Sequence, residues 1–308
     1  MGGAAIGVPA VLNALVSRRA RRLPAVTWGS GDRYAWKSGD VVFQHLGDGS
    51  PVVLIHSFGP GHGAAEWRRA AEILAQSYEV FAPDLLGWGY SQVSGLTCDS
   101  ELYIRLIRDF LEDVVGRRAV IVAAGLSAAY AVQIAVDQQE LVSGLALVSP
   151  LGIDLHGDEP DLKDAVVYRL LRLPILGTSA LNLYTSRSAM ASYLRREVYA
   201  SSAAVDDELV DEHYRSSHQP GSQAALAAYL AGYLNHGVRE ALGRLGRPLW
   251  LAWGRHAASP PVETADLWLR QCPDAGLEVF EHAGVLPHAE SPKEFCGKLE
   301  RFLANLGE

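Results

Sequence analysis

The chain has 308 residues, 49% of them hydrophobic, with 27 Lys and Arg against 35 Asp and Glu, for a net charge of −8. That length and apolar content suit one large domain or a domain with an insertion, and the acidic balance argues against nucleic acid, whose phosphates require basic surfaces. Cys98, Cys272 and Cys296 share no motif spacing and leave one unpaired, which fits reduced thiols in the cytoplasm; no CxxC or HExxH pattern suggests a metal, and no cofactor is expected.

Residues 1–30 form a basic N-terminal segment. Arg18, Arg19, Arg21 and Arg22 precede the first acidic residue, Asp32, while Val11, Leu12, Leu15 and Val16 fall on one helical face that Pro24 should end. The apolar run ahead of the arginines is short, is interrupted by Pro9 and has its charges on the wrong side for a secretory signal. Nothing along the chain is long enough to span a bilayer. Residues 10–22 therefore read as a helix docked on the domain, or as a peripheral contact with an anionic membrane or an acidic partner.

From Gly39 to Pro150, the runs VVFQHL, PVVLIHS, YEVFAPD, AVIVAA and GLALVSP read as strands, with helices near 64–76, 100–116 and 126–139 between them. Runs this apolar, separated by helices, imply a mostly parallel, doubly wound α/β sheet covered on both faces. The rhythm returns in PLWLAWG and LEVFEHAG. Between them no clean strand occurs: DLKDAVVYRLLRL, SAMASYLRREVY, DELVDEHYRSS and SQAALAAYLAGYLN read as helices. The organisation expected is a core of residues 31–153 and 237–308 with a helical cap at 154–236.

These landmarks resemble the α/β-hydrolase superfamily over nearly the whole chain, in its capped branch acting on small-molecule esters and C–C bonds. VVLIHSFGPGHG is similar to its strand and His-Gly loop, APDLLGWGYS to its Asp-x-x-Gly-x-Gly-x-Ser loop, and HAGVLPHAESPKEF to its C-terminal histidine loop. The resemblance implies a serine nucleophile, an acid and a histidine on loops that follow strands. At the serine the pattern is Gly-x-Ser-x-Gly-Gly, with alanines six and ten residues on. Ala131 and Ala135 fit if the nucleophile position is Gly125; counting from Ser127 instead puts Gln133 six residues on. In WGRHAASPP the acid position falls on Ala257, and in AGVLPHAE the base position falls on Val285. All three positions lack a group able to attack or move a proton, so the resemblance implies a degenerate triad. Glycine would still keep the strained turn.

Two residues could have taken over the chemistry: Ser127, otherwise bonded within its own helix turn, and His288, otherwise structural. His56 and Asp84 read as loop-fixing, and His62 and His256 as solvated or capping. Asp154 follows the strand from which some family members draw their acid. Trp67, Trp88, Tyr184, Tyr193, Tyr229 and Tyr233 read as core or as pocket lining. A ligand pocket for a small apolar molecule is expected at His56, Ser57, Phe58, Gly125, Leu126 and Val285, with the Phe58 and Leu126 amides at the former oxyanion hole. Three functions remain open: a non-hydrolytic binding protein, an enzyme (hydrolase, lyase or isomerase) using relocated residues, and an interaction protein acting through its basic N-terminal helix.

Overall fold

Strands β1 (Asp32–Trp36), β2 (Gly39–Leu46), β3 (Ser50–Ile55), β4 (Tyr78–Pro83), β5 (Ala119–Ala124), β6 (Val142–Val148), β7 (Leu249–Gly254) and β8 (Gly276–Phe280) form one sheet in the order β1-β2-β4-β3-β5-β6-β7-β8. This computed structural model describes residues 2–23, 28–93, 97–154 and 160–306; Pro24, expected to end the first helix, lies outside them. β3 to β8 run parallel, and β2 joins β4 and β1 antiparallel. Seven strands match the apolar runs. β1 was not expected, because DRYAW opens on two charges and its first two residues are exposed at the sheet edge.

The central strands bury side chains on both faces, as parallel strands covered by helices must. In β5, Ile121 and Ala123 enter one core, while Val120, Val122 and Ala124 enter the other. The first core includes residues of α3 (Ser100–Phe110), α4 (Ser127–Asp137) and α11 (Ala265–Gln271); the second includes residues of α2 (Arg68–Leu74) and α13 (Pro292–Asn305). α3 places Leu102, Leu106, Ile107 and Phe110 on one buried face, and the Asp99 carboxylate caps its first turn by accepting from the Leu102 amide at 2.7 Å.

Between β6 and β7 lie α5 (Leu162–Leu171), α6 (Leu176–Tyr184), α7 (Arg187–Tyr193), α8 (Asp207–Ser216) and α9 (Ser222–Leu230), followed by the short α10 (Arg239–Leu242). These helices sit on loops that follow β3, β4 and β8. A Cβ at Gly61, whose φ is +75°, would come within 2.2 Å of the His213 carbonyl on α8, so the β3 loop approaches that helix as only glycine allows. Trp88 meets Tyr229 edge-on, and the Val285 amide donates to the Val198 carbonyl at 2.8 Å.

α1 (Gly2–Ala20) docks in a way the sequence did not suggest. Ala20 is buried, and the Asn13 amide bonds the Ile175 carbonyl, Ser179 and Asn182 of the insertion. The expected apolar face stays outside: Val11, Leu12 and Leu15 are all more than half exposed.

Candidate functional site

The turn from β5 into α4 is held by the Gly125 amide donating to Val148 O at 2.9 Å and by Gly125 O accepting from Leu151. Gly125 has φ +57°, the left-handed region that glycine occupies without penalty. A Cβ there would come within 2.6 Å of Ser57 Oγ, so the residues at 57 and 125 are sterically linked. Ser127 is fully buried, and its hydroxyl donates to the His56 carbonyl at 2.6 Å, tying α4 to the end of β3. That bond runs across 71 residues of sequence rather than within its own turn.

Ala257 lies buried after β7, with its amide on the Gly254 carbonyl. Val285 is pinned from both sides: its amide bonds Val198 O, and its carbonyl accepts from Ser149 Oγ at 2.9 Å. His56 Nδ1–H donates to Ser57 O and Nε2 accepts from the Leu85 amide, which fixes one neutral tautomer; burial pushes it down to about 4. The Phe58 ring is buried edge-on against Trp88, Tyr103 and Tyr130, with centroids 5.1 to 5.7 Å away. Asp84 accepts from the Ala64 and Tyr90 amides; burial raises it to about 6 despite these bonds. His256 and Asp154 are exposed.

A second group of polar residues lies nine residues along the same loop. Glu66 is buried; its Oε1 accepts from the Ser57 amide at 2.8 Å, and its Oε2 lies 2.8 Å from His62 Nδ1. Tyr193 Oη lies 3.0 Å from His62 Nε2. His62 is thus buried between two partners and not solvated as expected. Burial alone would raise the Glu66 carboxyl, but His288 and His62 hold it well below the usual carboxylate range. His288 stacks on Trp67 with centroids 3.6 Å apart, and its Nε2 is 3.6 Å from Glu66, beyond hydrogen-bond reach. Burial lowers the His288 imidazole, against the pull of Glu66. No hydrogen bond joins Ser127 to His288 among the described residues.

Next to Glu66 a cavity of about 130 Å³ is bounded by α2, α8 and α12 (Pro287–Glu290). Arg68, Tyr199, Glu212 and His213 line it with Glu66. Burial pushes Glu212 up to about 7, with Arg68 opposing. His213 Nδ1–H is committed to Leu209 O at 3.0 Å, and its buried Nε2 has no protein partner. Neither this cavity nor a smaller one beside it, lined by Gly61, Asp84 and Tyr90, touches Gly125 or Val285. The expected apolar pocket and the observed polar space are therefore different places. Glu66, Glu212 and His213 were missed in the sequence. The available signal was a His and a Glu four residues apart where a loop runs into a helix.

A family model described as the alpha/beta hydrolase family matches residues 52–298. The chain belongs to that family. It is 27% identical over 263 residues to the pimeloyl-(acyl-carrier protein) methyl ester esterase of Aliivibrio fischeri (strain MJ11), covering 85% of this chain and 96% of that one. It is 24% identical over 268 residues to the 2-hydroxy-6-oxo-6-(2'-aminophenyl)hexa-2,4-dienoic acid hydrolase of Metapseudomonas resinovorans, covering 85% and 87%. Among solved structures, a serine hydrolase involved in carbazole degradation superposes with a TM-score of 0.71 at 22% identity, over 89% of this chain and 99% of the other. An epoxide hydrolase superposes at 0.73 and 21%, over 90% and 99%.

Proposed function

We propose that this α/β-hydrolase does not hydrolyse through a serine, its nucleophile, acid and base positions being Gly125, Ala257 and Val285, and that it acts as a small-molecule binding protein. The turn after β5 carries this reading. Its left-handed corner residue is Gly125, and the nearest hydroxyl, Ser127, is buried on the His56 carbonyl. A serine nucleophile needs an imidazole within bonding reach to take its proton, and Ser127 has none among its hydrogen-bond partners. A small apolar ligand at His56, Ser57, Phe58, Gly125, Leu126 and Val285 would enter a region where five of the six are buried, so binding there requires side chains to move. The test is turnover of p-nitrophenyl butyrate and of a pimeloyl methyl ester by the purified chain. No turnover above buffer is expected; turnover that disappears in Ser127→Ala would overturn the reading.

A second reading is favoured by the Tyr193–His62–Glu66 relay. A hydroxyl, an imidazole and a carboxylate in line can hold and pass one proton, which suffices for lyase or isomerase chemistry. In it, Tyr193 Oη would exchange a proton with His62 Nε2 while Glu66 stabilises the charged imidazole. It predicts a saturable, pH-dependent reaction of the dienoic acid class named for the relative above, lost in Tyr193→Phe and in His62→Gln. A reaction indifferent to both substitutions excludes the relay.

A further inference from the structure

Every large apolar side chain standing exposed among the described residues belongs to α1, α5, α6 or the turn between α5 and α6. The most exposed are Leu162 at 81%, Leu183 at 75%, Leu176 at 71% and Val8 at 62%. α6 packs against both α1 and α5, so the three helices form one contiguous surface. Other described residues of this kind are buried or half-buried, and clustered exposed apolar side chains mark contact surfaces.

The α1 end of this surface is cationic, on a chain whose net charge is −8. Arg18, Arg19, Arg21 and Arg22 are exposed where α1 ends, no acid precedes Asp32, and none of the four has an ion pair among the described residues. The Arg21 guanidinium donates to the Ser17 carbonyl of its own helix. Asn13 supplies α1 with a polar attachment to the insertion, which leaves Leu12 and Leu15 free to face outward. A groove of about 550 Å³ runs along this helix, walled by Leu12, Leu15 and Val16, with Arg19 and Arg187 on its lining.

We propose that α1, α5 and α6 form a docking face for an anionic lipid bilayer, lying in the plane of the interface. The leucine and valine side chains enter the boundary between headgroups and acyl chains, and the four arginines meet lipid phosphates. A helix with outward apolar residues and a cluster of arginines matches what an interfacial anchor requires, and the charge selects anionic over neutral lipid. No described helix is long and apolar enough to cross a membrane, so the contact is made from one side.

The test is co-sedimentation of the full chain with phosphatidylcholine vesicles, with and without phosphatidylglycerol as the anionic lipid. Binding to the anionic vesicles is expected, weakened by salt. It should fall about tenfold or more in Leu12→Glu with Leu15→Glu, and likewise when the four arginines become glutamine. All these side chains are exposed, and unchanged thermal melting would confirm that the variants fold. No binding to anionic vesicles, or binding indifferent to both variants, overturns the proposal. So does a dimer seen by analytical ultracentrifugation that Leu12→Glu dissociates while vesicle binding is absent, because the face would then join two copies of the chain.

Discussion

The loop that follows β3 serves two neighbourhoods of opposite character. At its start, Ser57 and Phe58 close over Gly125 with aromatic rings and satisfied hydrogen bonds, and the His56 imidazole is locked by two backbone partners. At its far end, Glu66 gathers His62, Tyr193 and His288, and a polar cavity opens beside it. A buried carboxylate is expensive unless it is paired and bonded. Buried titratable groups are thus concentrated around Glu66, while beside Gly125 the His56 imidazole and the Ser127 hydroxyl are both committed to backbone partners.

The largest expected effect that sharpens this contrast is on acid stability. Burial pushes His56 down to about 4 and His213 to about 3, from an ordinary value near 6.5. Each imidazole binds its proton more weakly folded than unfolded, so the unfolded chain takes up protons as the pH falls below about 6.5. Stability is full above that value and is lost as the pH drops towards the folded-state values. The loss is on the order of 3 kcal/mol for His56 by about pH 4. The depressed Glu66 acts in the same direction, since a carboxylate held low loses its contribution as the pH falls below its unfolded value. Asp84 and Glu212, raised to about 6 and about 7, act in the opposite direction because the folded chain takes up their protons first. Urea unfolding of the parent beside His56→Gln at neutral and acid pH isolates the imidazole, and a parent no more acid-labile than the variant would contradict it.

Next in size is Glu66→Ala, which leaves the Ser57 amide and His62 Nδ1 without their partner and should cost about 3–5 kcal/mol in denaturant unfolding. Glu66→Gln keeps an acceptor and should cost less. If alanine and glutamine are equally mild, the far end of the loop is not the polar centre described above. Gly125→Ser places a side chain in the left-handed region and crowds Ser57 Oγ, so about 1–2 kcal/mol is expected. Adding Ser57→Gly should recover part of that loss. Neither variant should gain ester hydrolysis. Smallest is Ser127→Ala, at about 1 kcal/mol for one hydrogen bond to the His56 carbonyl.

Much of the scaffold was legible because its strands are short, apolar and bounded by turn residues. β1 escaped, being an edge strand with charges at its start. α6 escaped because its GTS stretch reads as a linker. On α1 the apolar stripe was visible, but the sequence does not say which face docks, and Asn13 made the attachment from another side. Gly125, Ala257 and Val285 were assigned to the triad positions through flanking landmarks. The Glu66 cluster was not, because Tyr193 reaches His62 across 131 residues and only the folded insertion brings them together.

The most direct measurement is intact mass after prolonged exposure of the chain to a fluorophosphonate, a reagent that traps activated serines. An unmodified mass is expected at every pH between acid and mild base. A single phosphonate adduct mapped to Ser127, and absent in Ser127→Ala, would contradict it.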